Sequence, residues 1–79
     1  MSNFEDFSKV VKYHRKKAGL SQKALADVAG VGKTVVFDIE KGKKTIQLNS
    51  VLKVFAALNI KIILESPLMN LYNIANEDS

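Results

Sequence analysis

The 79-residue chain has no cysteine, no tryptophan, one proline and one histidine. Without cysteine it can build neither a disulfide framework nor a thiolate metal site, which fits a reducing cytoplasm. His14 stands apart from any cluster of acids, so no metal site is expected. No apolar run approaches the roughly 18 residues that span a bilayer. The opening MSNFEDFSK carries early acids and no apolar stretch, so neither a signal peptide nor a membrane partner is expected. No nucleophile–base constellation stands out. Catalysis and cofactors are therefore not expected, and the cytoplasm is the expected compartment.

One fragment invites a different reading. Gly30-Val31-Gly32-Lys33-Thr34 resembles the end of a phosphate-binding loop, but that motif needs a first glycine where Asp27 stands, and a strand before it. An acid there repels phosphate, and the chain is too short for a doubly wound nucleotide domain.

What remains is one small domain with 47% hydrophobic and 25% charged residues. A chain of this size buries only about 60% of its unfolded surface, so a dimer is a reasonable expectation. The charge is uneven. Residues 1–44 carry ten Lys/Arg against five Asp/Glu, and residues 45–79 carry two against three. A front half at +5 beside a back half at −1 suggests an anionic partner for the front.

Phe4, Phe7, Val11, His14 and Ala18 recur at spacings of three and four, predicting a first helix that Gly19 ends. Ser21 is an N-cap candidate for a second helix over Gln22–Ala29. Gly30-Val31-Gly32 is a tight turn. Residues 33–41 favour a strand by propensity. The turn chemistry around them, with Gly42 as a stop, favours a helix. Helical spacing puts Val36, Ile39 and Glu40 on one side of it and Thr34, Phe37, Asp38 and Lys41 on the other. Asn49 is the expected cap of a fourth helix running to about Leu58, with Val51, Leu52, Phe55 and Leu58 buried. Ile46 and Leu48 are expected beneath it. Ile60, Lys61, Ile62, Ile63, Leu64 and Glu65 alternate as a short strand that Pro67 ends. A lone strand needs a partner, and the same strand of a second copy supplies one. The alternative is that 60–65 extends the fourth helix. The division expected is a domain over 1–65 and a tail over 66–79, either frayed or ordered by a partner.

The run R-x-x-x-G-L-S-Q-x-x-L-A-x-x-A-G-V followed by I-E-x-G comprises Arg15, Gly19, Leu20, Ser21, Gln22, Leu25, Ala26, Ala29, Gly30, Val31, Ile39, Glu40 and Gly42. It resembles the XRE (Cro/C1-type) helix-turn-helix DNA-binding family over roughly residues 7–58. G-V-G before the third helix, E-K-G-K after it and the later L-N-I-x-I-I-L look like HipB-type antitoxins. The resemblance implies a mainly α fold, a lambda-repressor-like domain of four to five helices with a C-terminal β-strand paired across a homodimer. It implies a repressor that binds its own operator, an inverted repeat in double-stranded DNA, and restrains a HipA-like kinase toxin. A stand-alone phage-type repressor and a protein-interaction inhibitor are the alternatives.

In that family the third helix lies in the major groove. The matching base-reading positions are Lys33, Thr34, Phe37 and Asp38. Asp38 needs a cytosine amino group or a nearby lysine to be tolerated there. Gln22 matches the position that grips phosphate at the start of the second helix, and Lys23, Lys41, Lys43 and Lys44 are further phosphate candidates. Arg15 and Glu40 match a pair that bridges the first helix to the third.

Overall fold

A computed structural model describes residues 4–77. Five helices follow one another: α1 Phe4–Lys17, α2 Gln22–Ala29, α3 Lys33–Lys41, α4 Leu48–Ala57 and α5 Met69–Glu77. No helix is long and apolar enough to cross a membrane among the described residues.

The first four helices are set by their ends. Ser21 Oγ accepts from the Ala24 N–H at 3.0 Å, capping α2. Gly30, at φ +75°, closes it: Val31 N–H reaches Ala26 O at 3.0 Å and Gly30 N–H reaches Asp27 O at 3.3 Å. This paired closure, with a left-handed residue just past the helix, satisfies carbonyls that would otherwise be orphaned. The same closure recurs at Asn59, which tolerates φ +59° because its short amide side chain permits the left-handed region. Ile60 N–H there bonds Phe55 O at 2.9 Å and Asn59 N–H bonds Ala56 O at 3.1 Å.

The core is Val11, Leu25, Ala26, Val36, Ile39, Val51, Val54 and Phe55, all buried. α2 sits between α3 and α4, and α1 packs on α3. The Phe7 and Phe55 rings meet at 4.8 Å, joining the start of α1 to α4. Residues 33–41 are helical despite their β-branched content. Val36 and Ile39 are buried and Thr34, Phe37 and Lys41 exposed, as helical spacing requires.

Several expectations are corrected. The inward face of α1 includes Ser8 and Arg15, while His14 and Ala18 are exposed. The reason is that a buried ion pair, not an apolar residue, completes the face. α4 begins one residue before Asn49, with Gln47 as its cap and no side-chain cap bond. Its buried stripe uses Val54 rather than Leu52, which is 43% exposed. Ile46 packs on the core, but Leu48 is the first residue of α4 and 69% exposed.

Ile60, Lys61, Ile62, Ile63, Leu64 and Glu65 form no strand in this single chain, where the described residues offer no second strand to pair with. Nor do they extend α4, because Asn59 has already closed it. Within the tail, Met69–Glu77 is helical. Ser66 Oγ accepts from the Leu68 N–H at 3.3 Å and Pro67 follows, a combination that starts a helix.

Candidate nucleic-acid interface

The outer face of α3 starts at Gly32, whose extended backbone leads directly into Lys33 without a side-chain cap. Lys33 and Thr34 are exposed in its first turn. One turn on, Phe37 is 48% exposed. An aromatic that open is not a core residue. Lys41 Nζ lies 5.7 Å from the centre of the Phe37 ring, within range of cation–π attraction. Asp38 is half-buried and meets Lys43 Nζ at 3.6 Å. The acid on this face therefore has a lysine partner, which lowers its repulsion of an approaching anion. Gly42, at φ +88°, turns the chain so that Lys43 and Lys44 follow α3 on an exposed loop. Only the left-handed region gives that turn, and a side chain there is strained even though a Cβ would touch nothing.

The inner face of α3 is held by charge. Arg15 Nε donates to Glu40 Oε2 at 2.6 Å and Arg15 Nη2 to Glu40 Oε1 at 3.0 Å. The side chains are 11% and 5% exposed. Two parallel bonds fix angle as well as distance. Arg15 Nη1 also donates to Leu20 O at 2.8 Å, tying α1 to the loop before α2. The guanidinium is held above its ordinary pKa, first by hydrogen bonding to Glu40, against burial, and then by the charge of Glu40. It thus stays charged at every pH the folded chain meets.

Gln22 Nε2 donates to Glu40 Oε1 at 3.3 Å, so its amide faces this pair from the start of α2. Lys23 reaches Asp27 at 3.2 Å along α2, both side chains well exposed. An exposed pair of this kind is worth little. The structure thus gathers Lys33, Thr34, Phe37, Asp38 and Lys41 on one helix face, with Lys43 and Lys44 at its end. Gln22 and Lys23 open the neighbouring helix. The link of Gln22 to Glu40 was not evident from spacing. A glutamine at the head of one helix and a glutamate at the tail of another carry no sequence signal of contact. His14 is exposed and its Nδ1 lies 2.7 Å from Val10 O. Among the described residues no group of His, Asp or Glu is clustered to hold a metal.

The helix-turn-helix family model matches residues 11–64, the span from mid-α1 to just past α4. The chain belongs to the helix-turn-helix family, in its XRE branch. A curated relative, the uncharacterised HTH-type transcriptional regulator y4mF of Sinorhizobium fredii, is 40% identical over 62 residues, 78% of this chain and 82% of its own. Two solved chains share the lambda-repressor-like fold, one described as MDT Protein and one from the structure of the HipA-HipB-O2-O3 complex. Each has a TM-score of 0.76 and 18% identity, over 85% of this chain and 94% of theirs. This helix-turn-helix protein is a DNA-binding transcriptional regulator.

Proposed function

We propose that the chain is a homodimeric repressor that reads an inverted-repeat operator through α3 and restrains a HipA-like kinase toxin encoded beside it. The observation that carries the DNA-reading half is the α3 surface. It is an exposed polar face, flanked by cations and locked from behind by Arg15–Glu40. Lys33 donates to guanine O6/N7, Thr34 bonds a base edge or touches a thymine methyl, and Phe37 contacts a thymine methyl. Asp38 holds Lys43 toward the backbone or accepts from a cytosine amino group. Gln22, Lys23, Lys41, Lys43 and Lys44 meet phosphates and set register.

Two copies place two α3 helices about one helical turn of DNA apart. The segment Ile60–Glu65, free of regular structure in one chain, pairs with its twin when two copies meet. On this reading residues 1–65 bind DNA and dimerise, and residues 66–79 add a second contact surface. The toxin-restraining role is supported by the fold shared with a chain of the HipA-HipB-O2-O3 complex structure.

The test has two arms. Duplexes selected from a random pool should converge on an inverted repeat. Co-expression with the neighbouring reading frame should yield a complex if that frame encodes the kinase. Selection without convergence would contradict the operator reading, and a neighbouring kinase that fails to co-purify would contradict the antitoxin reading.

A further inference from the structure

The chain carries two apolar helix faces that its own fold does not use. The first is on α4. Its buried arc is completed by Val51, Val54 and Phe55, yet Leu48, Leu52 and Ala56 continue the apolar surface and are exposed. They lie four residues apart, a single ridge along one side of the helix. The second is on and just before α5. Leu68, Leu71, Tyr72 and Ala75 fall at the three-and-four spacing of one stripe, with Ile74 beside it. Leu68, Leu71, Tyr72 and Ile74 are 57–68% exposed. Asn70 and Asn73 occupy the other side. α5 makes no substantial contact with any other helix among the described residues.

The size of the exposed surface shows how much is left uncovered. A compact monomer of 8.7 kDa exposes about 4,700 Å². This chain exposes 6054 Å², an excess of about 1,300 Å². A stable interface buries about 800 Å² per partner. The radius of gyration is 14.8 Å and the long axis 43 Å, where a compact fold of this length has a radius of about 12 Å. On the arm that begins after Asn59, Ile62, Ile63 and Leu64 are also exposed.

We infer that the occupant of each face is a second copy of this chain: α5 of one protomer seats its Leu68/Leu71/Tyr72 stripe on the Leu48/Leu52/Ala56 ridge of α4 in its partner. The exchange is reciprocal, so one two-fold axis buries both faces twice over. It rests on the homodimer proposed above and adds to it the element that the arm delivers. The segment 60–66 spans about 20 Å when extended, which carries α5 away from its own α4. Residues 66–79 contain no lysine or arginine, so the stripe has no cation to offer DNA, and an apolar ridge suits it.

The chain's lack of cysteine makes the test simple. Full-length Leu52→Cys and Leu71→Cys variants are mixed, oxidised, and resolved without reductant. A 52–71 cross-linked heterodimer is expected in the mixture, well in excess of the 52–52 and 71–71 species. In parallel, Leu52→Asp and Leu71→Asp are each expected to raise the dimer dissociation constant at least tenfold by sedimentation. Circular dichroism should stay unchanged, because both positions are exposed in the single chain. Dimers that ignore both aspartates overturn the inference, as does a mixture in which 52–71 cross-links do not exceed the 52–52 and 71–71 species. So does an apolar face that is covered only when a kinase partner is added. DNA retardation on the same samples separates the two levels. Operator binding without 52–71 cross-linking sinks the inference alone, and cross-linking without operator binding sinks the proposed function alone.

Discussion

Replacing Arg15 by methionine leaves Glu40 as a carboxylate only 5% exposed, with the Gln22 amide at 3.3 Å as its remaining side-chain donor. Removing one member of a buried ion pair costs about 3–5 kcal/mol, because the surviving charge has lost its compensation. A 79-residue domain holds only about 4–12 kcal/mol in all. The single change therefore removes at least a quarter of the stability, and lowers Tm by at least about 12 °C at fixed protein concentration. Replacing both partners, Arg15→Met with Glu40→Leu, removes the stranded charge. Such exchanges are often neutral or stabilising. Here the lost bond to Leu20 O offsets the gain by about 1 kcal/mol. The double variant should thus lie within about 2 kcal/mol of the parent, and less destabilised than Arg15→Met alone. Urea unfolding followed by far-ultraviolet circular dichroism measures all four corners of the cycle. A loss below about 1 kcal/mol for Arg15→Met would refute the reasoning, since that is the value of an exposed pair.

Further expectations concern individual positions. Gln47→Asp should raise stability by about 0.5–1 kcal/mol in the same urea assay, because the α4 N-cap makes no side-chain bond; no gain would mean that water already serves those N–H groups. Asn59→Val should cost about 1–2 kcal/mol, whereas Asn59→Gly should cost nothing, given the left-handed backbone there. Lys33→Ala and Thr34→Ala should each narrow the gap between operator and scrambled duplex by about 1–3 kcal/mol. Lys43→Ala and Lys44→Ala should weaken both duplexes alike, and equal loss of discrimination in both groups would undo the division of roles.

The turns were the most legible part of the sequence. Gly19, Gly30 and Gly42 stand at positive φ where helices end, and glycine is the residue that geometry selects. That punctuation outweighed the β-branched residues of 33–41. The phase of α1 was misjudged at His14 because counting apolar residues places an arginine outside, whereas Arg15 is carried inward by Glu40, 25 positions away in sequence. The family pattern had paired those two residues, but their depth and the third partner, Gln22, lay in packing alone. Leu48 and Leu52 were expected inside because they are leucines; nothing local says that α4 carries more apolar surface than one chain can cover. The helix at 69–77 was hidden behind three asparagines and a proline, and the contacts that would favour it lie outside the chain's own core. For the α3 surface the sequence named the side chains. The pairing of Asp38 with Lys43 depends on the Gly42 turn, which returns the Lys43 N–H to Asp38 O.

If Lys23, Lys41, Lys43 and Lys44 of both protomers each neutralise a phosphate, the logarithm of the binding constant should fall with the logarithm of salt at a slope of roughly −7. Fluorescence anisotropy on the selected inverted repeat and on a scrambled duplex, across a salt series, measures this slope and the specificity together. Expected are a steep slope on both duplexes and a preference for the inverted repeat of at least about a thousandfold. Equal affinity for the two duplexes, or binding indifferent to salt, would contradict the assignment of α3 as the DNA-reading helix of this protein.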